Sequence, residues 1–226
     1  MRIALAALLL VAAPATADPL QDQVLAGMKG SATADVAFSQ TTRVERTGAA
    51  PQEFVTRYDP RQPAGRRWSL VRVDGRAPTA KETDQIVKAA NATPVPSYAK
   101  LAAWFGGPAT RVAQNASSVT YRFARLPAGV VKIGKHDASA DTVADAVVNT
   151  AGRQPFVERV RFASSKSFRM MLVAKVERYV FVSDYAPLPD GRPFPAGTQA
   201  DMAGSLMGKS GSFVTRTRYA DVHPVR

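Results

Sequence analysis

Two histidines, no cysteine and 18 acidic residues limit the chemistry open to this 226-residue chain. Nucleophilic catalysis of the Ser–His–acid type needs an imidazole to take the proton. The candidates are His136 and His223. His223 stands beside Pro224 near the C-terminal end and reads as a loose surface residue. His136 lies in the turn Gly134-Lys135-His136-Asp137, followed by Asp141, so His136, Asp137 and Asp141 offer nitrogen and oxygen donors to a divalent ion. Lys132 and Lys135 flank the group and no second histidine is near, which favours an ordinary polar loop and no metal. Glycoside hydrolysis needs paired carboxylates, yet Asp74, Asp141, Asp190 and Glu82 fall in turns or caps. Glu158 and Glu177 lie on strands among arginines, the setting of surface ion pairs. The absence of cysteine excludes a disulfide framework, a thiolate metal site and a cysteine nucleophile. Gly106-Gly107-Pro108 and the stretch Gly204 to Gly211 neither follow a strand nor open a helix, as a phosphate cradle requires. The expectation is a non-enzymatic protein with no cofactor. A buried His136 beside Asp137 in a cavity would revive an enzyme reading.

The elements that would position these residues begin with an N-terminal leader. Met1-Arg2 is a short positive region, Ile3 to Ala13 is an unbroken apolar run of eleven residues, and Ala15-Thr16-Ala17 follows Pro14. The run is shorter than the roughly 20 residues that span a bilayer, and its flanks fit a cleaved secretory signal without a twin arginine. The expected division is a signal peptide over 1–17 and a single domain over 18–226, located in the periplasm. Net charge is +12, with six arginines between Arg57 and Arg76 and seven basic residues from Arg153 to Arg178. Such a field attracts polyanions. In an exported protein an anionic membrane surface or acidic glycan fits better than nucleic acid, although Arg57-Tyr58 and Tyr121-Arg122-Phe123 have the look of a base-stacking platform.

Leu20, Val24, Leu25 and Met28 keep helical spacing up to Gly30. Alternation then predicts three strands, from Val36 to Glu45, Glu53 to Tyr58 and Arg67 to Val73, the last closed by Asp74-Gly75. Thr79-Ala80-Lys81-Glu82 is a capping box for a helix to about Ala90, and Ser97 opens a shorter helix through Phe105. Strands are expected at Thr110 to Ala113, Val119 to Phe123, Val130 to Ile133 and Phe156 to Ala163. Asp141 is expected to cap a helix over Thr142 to Val148. A long β-rich run from Phe168 to Ala186, a hairpin at Asp190-Gly191, and strands Met202 to Met207 and Ser212 to Tyr219 complete the pattern. The fold class is α+β, mainly antiparallel β: a curved incomplete barrel with helices packed on its concave face.

Four methionines, Met170, Met171, Met202 and Met207, gather in the last third. Methionine adapts to variable apolar partners, and Trp68, Trp104 and Phe105 add large apolar faces. The expected lining of a ligand cavity is Trp68, Leu70, Trp104, Phe105, Met170, Met171, Leu172, Met202 and Leu206. Arg67, Arg72, Arg159 and Arg161 are expected to meet headgroups or a partner.

Three stretches carry a resemblance. Phe38-Ser39-Gln40 after an N-terminal helix is similar to a Phe-x-Gln first strand. Arg67-Trp68-Ser69-Leu70 with Asp74-Gly75 is similar to an aromatic strand and its turn. The Asp190-Gly191-Arg192-Pro193-Phe194-Pro195 hairpin and the closing Arg218-Tyr219 strand complete it. Together they resemble the LolA/LolB-like periplasmic lipoprotein carriers and the related envelope-stress regulators. The chain departs from that pattern where Ala77-Pro78-Thr79 opens a helix. The resemblance implies a carrier holding lipid or lipoprotein acyl chains between a half-barrel and covering helices. The alternative is a basic interaction module that docks an envelope partner without a small ligand.

Overall fold

The computed structural model describes residues 18–31, 35–171 and 174–225. The expected signal segment, 1–17, and Leu172 lie outside them. Helix α1 runs over Pro19–Gly30. Strands β1 (Val36–Arg46), β2 (Gln52–Tyr58) and β3 (Trp68–Val73) follow as a meander. Helix α2 (Ala80–Ala92) comes next, then a 3-10 turn at Tyr98–Leu101 that runs into the single turn α3 (Ala102–Phe105). The rest is strand: β4 (Thr110–Gln114), β5 (Ser118–Phe123), β6 (Lys132–Ile133), β7 (His136–Asp137), β8 (Thr142–Asn149), β9 (Phe156–Ser164), β10 (Phe168–Met171), β11 (Ala174–Pro187), β12 (Pro193–Leu206) and β13 (Lys209–Pro224).

Eleven strands form one antiparallel sheet in the order β3-β2-β1-β13-β12-β11-β9-β8-β5-β4, with β10 on β11. It does not close, because β3 and β4 are its two edges. The chain's first and last strands pair at its middle, Thr42 opposite Thr217 and Gln40 opposite Tyr219.

Alternation gives the sheet two unlike faces. Along the inner face, register aligns Phe38, Tyr58 and Trp68 at one end and Phe162, Ala144 and Phe123 at the other. The opposite face carries Arg43 across from Arg216, and Arg122 across from Asp145, Arg161 and Val182. The helices rest on the inner face. They cover it in two patches, one over the Phe123 cluster and one, beneath α2, that includes polar strand residues.

Three apolar clusters hold this together. Trp104 and Phe105 pack on Phe123 at 4.9 and 5.5 Å between ring centroids, with Val24 and Met28 of α1 in the same cluster. Phe38 sits among Tyr58, Trp68, Phe194 and Tyr219, every centroid within 5.6 Å. Phe168, Tyr179, Val176 and Ala138 form the third. Tyr98 fixes the 3-10 turn to the sheet: its buried hydroxyl accepts the Val157 amide at 2.8 Å, beside the bulge where β8 and β9 shift register. A bulge frees a backbone group, and a buried one must find a partner.

Two expectations change. Residues 142–148 are a strand, with Thr142, Ala144, Ala146 and Val148 buried in strict alternation. Asp141 pairs with Lys166 at 3.0 Å and caps no helix. The alanines favour a helix by propensity, but the aromatic cluster above them leaves room only for small side chains on a flat sheet. His223 is exposed yet not loose: it belongs to β13, opposite Ala37.

Asp18 is the hub of the N-terminal region. Its carboxylate caps α1 through the Leu20 amide at 3.1 Å. It also accepts two bonds of 2.6 Å from Arg111 and one of 2.8 Å from Tyr121, joining α1 to the β4–β5 edge. The Arg111 guanidinium holds the carboxyl down at about 2. Because the folded value is depressed, this stabilisation is complete above pH 4 and is lost as pH falls through about 2. Asp18→Asn is expected to cost about 1–2 kcal/mol at pH 7. The fall in Tm should shrink towards zero as both proteins are titrated to pH 2 by circular dichroism.

Candidate functional site

Between the inner sheet face and the helices lie two adjoining cavities. The first, about 540 Å³, is bounded by Leu101 and Trp104 above and by Phe162, Phe181, Ser183, Tyr185, Thr198 and Tyr219 below. The second, about 480 Å³, is bounded by Gln85, Ile86, Ala89 and Ala90 of α2 and by Phe54, Trp68, Gln40, Thr42, Thr56, Thr215 and Thr217 of the sheet. Pro96 and Tyr219 line both, so the cavities are neighbours on either side of these two residues. Each volume falls in the range of small-molecule sites.

The two covers are held very differently. Tyr98, Leu101, Trp104 and Phe105 are all buried. Every residue of α2 remains at least partly exposed over its thirteen residues. Local bonds make α2 a helix: the Thr79 hydroxyl accepts the Glu82 amide, Glu82 accepts the Thr79 amide at 2.8 Å, and Arg76 clamps Glu82 at 2.6 Å. Its apolar side, Ile86, Val87 and Ala90, meets the cavity and the Phe38 cluster without being submerged. The helix is well formed and loosely seated.

Ionisable groups are sparse here. Burial pushes the Tyr219 phenol up to about 12, so it is neutral at any working pH. Burial also raises Tyr185. Lys100 stands at the edge of the first cavity, where desolvation lowers its pKa and its ammonium donates to the Val95 carbonyl at 2.9 Å.

The sequence-predicted lining is distributed over several places. Trp68 borders the second cavity and Trp104 the first. Phe105 is fully enclosed among Trp104, Tyr121 and Phe123. Leu70 is buried on β3 between the cavities' edge and the sheet margin. Met170, Met202 and Leu206 border a third cavity at the far end of β11–β13, about 390 Å³. Leu206 itself is 56% exposed beside the Met207-Gly208 turn. Met171 is the last residue of β10. Thus Trp68 and Trp104 line neighbouring cavities, and Met170, Met202 and Leu206 line neither of them. Arg159 and Arg161 alternate with Val160 and Phe162 and so occupy the opposite face, Arg159 paired with Asp184 at 2.6 Å. Arg67 and Arg72 are exposed at the β3 margin, Arg67 donating to the Gln62 carbonyl at 3.2 Å.

The lining that sequence reasoning passed over is the set of threonines on β1, β2 and β13 and the inner side of α2. Their signal was alternation itself: Thr42 and Thr56 fall on the same parity as Phe38 and Tyr58. In the histidine region the His136 Nε2 is buried and has no hydrogen-bond partner among the described residues. The His136 ring stacks on Phe168 at 4.5 Å, while the Asp137 carboxylate accepts from Ser139 and from the Gly129 amide.

No family model and no curated protein matches the sequence. Among solved structures, a LolA superfamily protein from Nitrosomonas europaea is similar to this chain, at 11% identity and a TM-score of 0.37. The overlap covers 92% of this chain and 93% of that one.

Seating predicts cost. In the purified protein, Trp104→Ala is expected to lose about 3–5 kcal/mol, and Ile86→Ala less than about 1 kcal/mol, by urea unfolding. Equal losses would show α2 packed as tightly as α3.

Proposed function

We propose that this protein is a non-enzymatic carrier in the cell envelope that holds an apolar chain, a lipid or a lipoprotein acyl group, in the cleft between sheet and helices. One observation carries the reading: α2 is an amphipathic helix with no fully buried residue, whose apolar side covers a cavity beside the Phe38 cluster. Burying apolar surface is the main driving force available to such a helix, and a chain lying on Trp68, Ile86 and Ala90 supplies what the protein alone lacks. The second cavity adjoins the first, which Trp104 lines, across Pro96 and Tyr219, so an elongated ligand that displaces these two side chains could occupy both. The leader-like residues 1–17 support export to the periplasm, with 18–226 as one mature domain.

A second reading has its own support. The outer face places Arg43 directly opposite Arg216, with Glu45 shared between them at 2.9 and 3.2 Å. Arg57, Arg161 and Arg218 are exposed on the same side. This surface suits docking to an anionic partner without any ligand in the cleft.

Native mass spectrometry of residues 18–226, taken from a periplasmic extract without detergent, separates the two. A carrier shows a lipid adduct that disappears in Ile86→Glu and persists in Arg159→Glu/Arg161→Glu. A clean unliganded mass after incubation with envelope lipids contradicts the carrier reading.

A further inference from the structure

Thr56 occupies an unusual position in the cavity beneath α2. It is 1% exposed, it borders the cavity, and among the described residues its hydroxyl oxygen has no hydrogen-bond partner. Its polar neighbours differ. The Thr42 and Thr217 hydroxyls bond to each other at 3.0 Å. A buried hydroxyl without a partner is costly and uncommon, and this one belongs to a residue of the cavity wall.

The remaining wall narrows what fits. Trp68, Phe54, Ile86 and Ala89 provide apolar surface. Among the described residues, no lysine, arginine, histidine, aspartate or glutamate lines this cavity. An ionised head placed there would surrender its hydration with no countercharge, which is strongly unfavourable. A neutral group that accepts one hydrogen bond loses little and satisfies Thr56.

Building on the carrier reading, we infer that this cavity selects a neutral ester or amide head over a free carboxylate, and that the Thr56 hydroxyl is the contact that does so. The carbonyl oxygen of the ligand accepts from Thr56, and its alkyl chain continues towards Pro96 and Tyr219.

The test uses three probes of equal chain length, decanamide, methyl decanoate and sodium decanoate, titrated at pH 7.5 and read by tryptophan fluorescence. Wild-type protein is expected to bind the two neutral probes about tenfold more tightly than decanoate. Thr56→Ser should keep that ratio. Thr56→Val, nearly the same shape, should cut neutral-probe affinity several-fold while leaving decanoate binding unchanged, with an unaltered fold checked by its Tm. Three results overturn the inference while leaving the carrier reading intact: no preference in wild type, an unchanged ratio in Thr56→Val, as expected if a bound water serves the hydroxyl, or an equal loss for all three probes. Failure of wild type to bind any probe overturns both.

Discussion

An antiparallel sheet of eleven strands presents a broad inner face, and only short helical segments are available to shield it from water. That mismatch governs the rest of the molecule. Where cover is tight, under α1 and the 98–105 segment, the strands supply Val, Phe and small Ala side chains. Where cover is loose, under α2, they supply Gln40, Thr42, Thr56, Thr215 and Thr217. An antiparallel sheet tolerates one wetted face, and this strip is partly covered: Thr42, Thr56 and Thr217 are buried, Gln40 and Thr215 half-buried. The cleft is the space left between a sheet that is too wide and a cover anchored at one end.

The anchoring is local and specific. Tyr98 takes up the amide freed at the β8–β9 bulge, and Trp104 drops between Phe123 and Phe162. Pro94 and Pro96 then separate this fixed segment from α2. Asp18 closes the opposite end by tying α1 to β4 and β5. Positive charge is left on the far face, where Glu45, Asp145 and Asp184 offset part of it. The proposed apolar binding and the alternative electrostatic docking would use opposite sides of one sheet.

Features encoded by neighbouring residues were legible in the sequence. The Thr79–Glu82 box and the Asp74-Gly75 turn each depend on contacts within a few positions, and Asp74 and Gly75 adopt the positive φ values, 47° and 79°, that such a turn requires. Features set by tertiary packing were not. Helix propensity masked the strand at 142–149, whose alanines serve the aromatic rings above them. The β12–β13 turn sits at Met207-Gly208, with Met207 at φ 51°, a residue that advertises no turn. Large side chains drew attention to Trp68 and Trp104, and both reach the cleft. The methionines share only their place in sequence, because β10 and the ends of β11–β13 carry them away from it. Threonines on β1, β2 and β13 looked like ordinary strand residues, and only the absence of a packed cover makes them a wall.

The central claim is that α2 is a cover seated by its ligand. Amide hydrogen exchange of the lipid-free and lipid-loaded protein tests it directly. The account predicts that residues 80–92 exchange far faster than β8 and β9 in lipid-free protein and slow markedly on loading, while the strands hardly change. Amides of α2 as protected as those of β8 without lipid, and unaltered by it, would contradict the account.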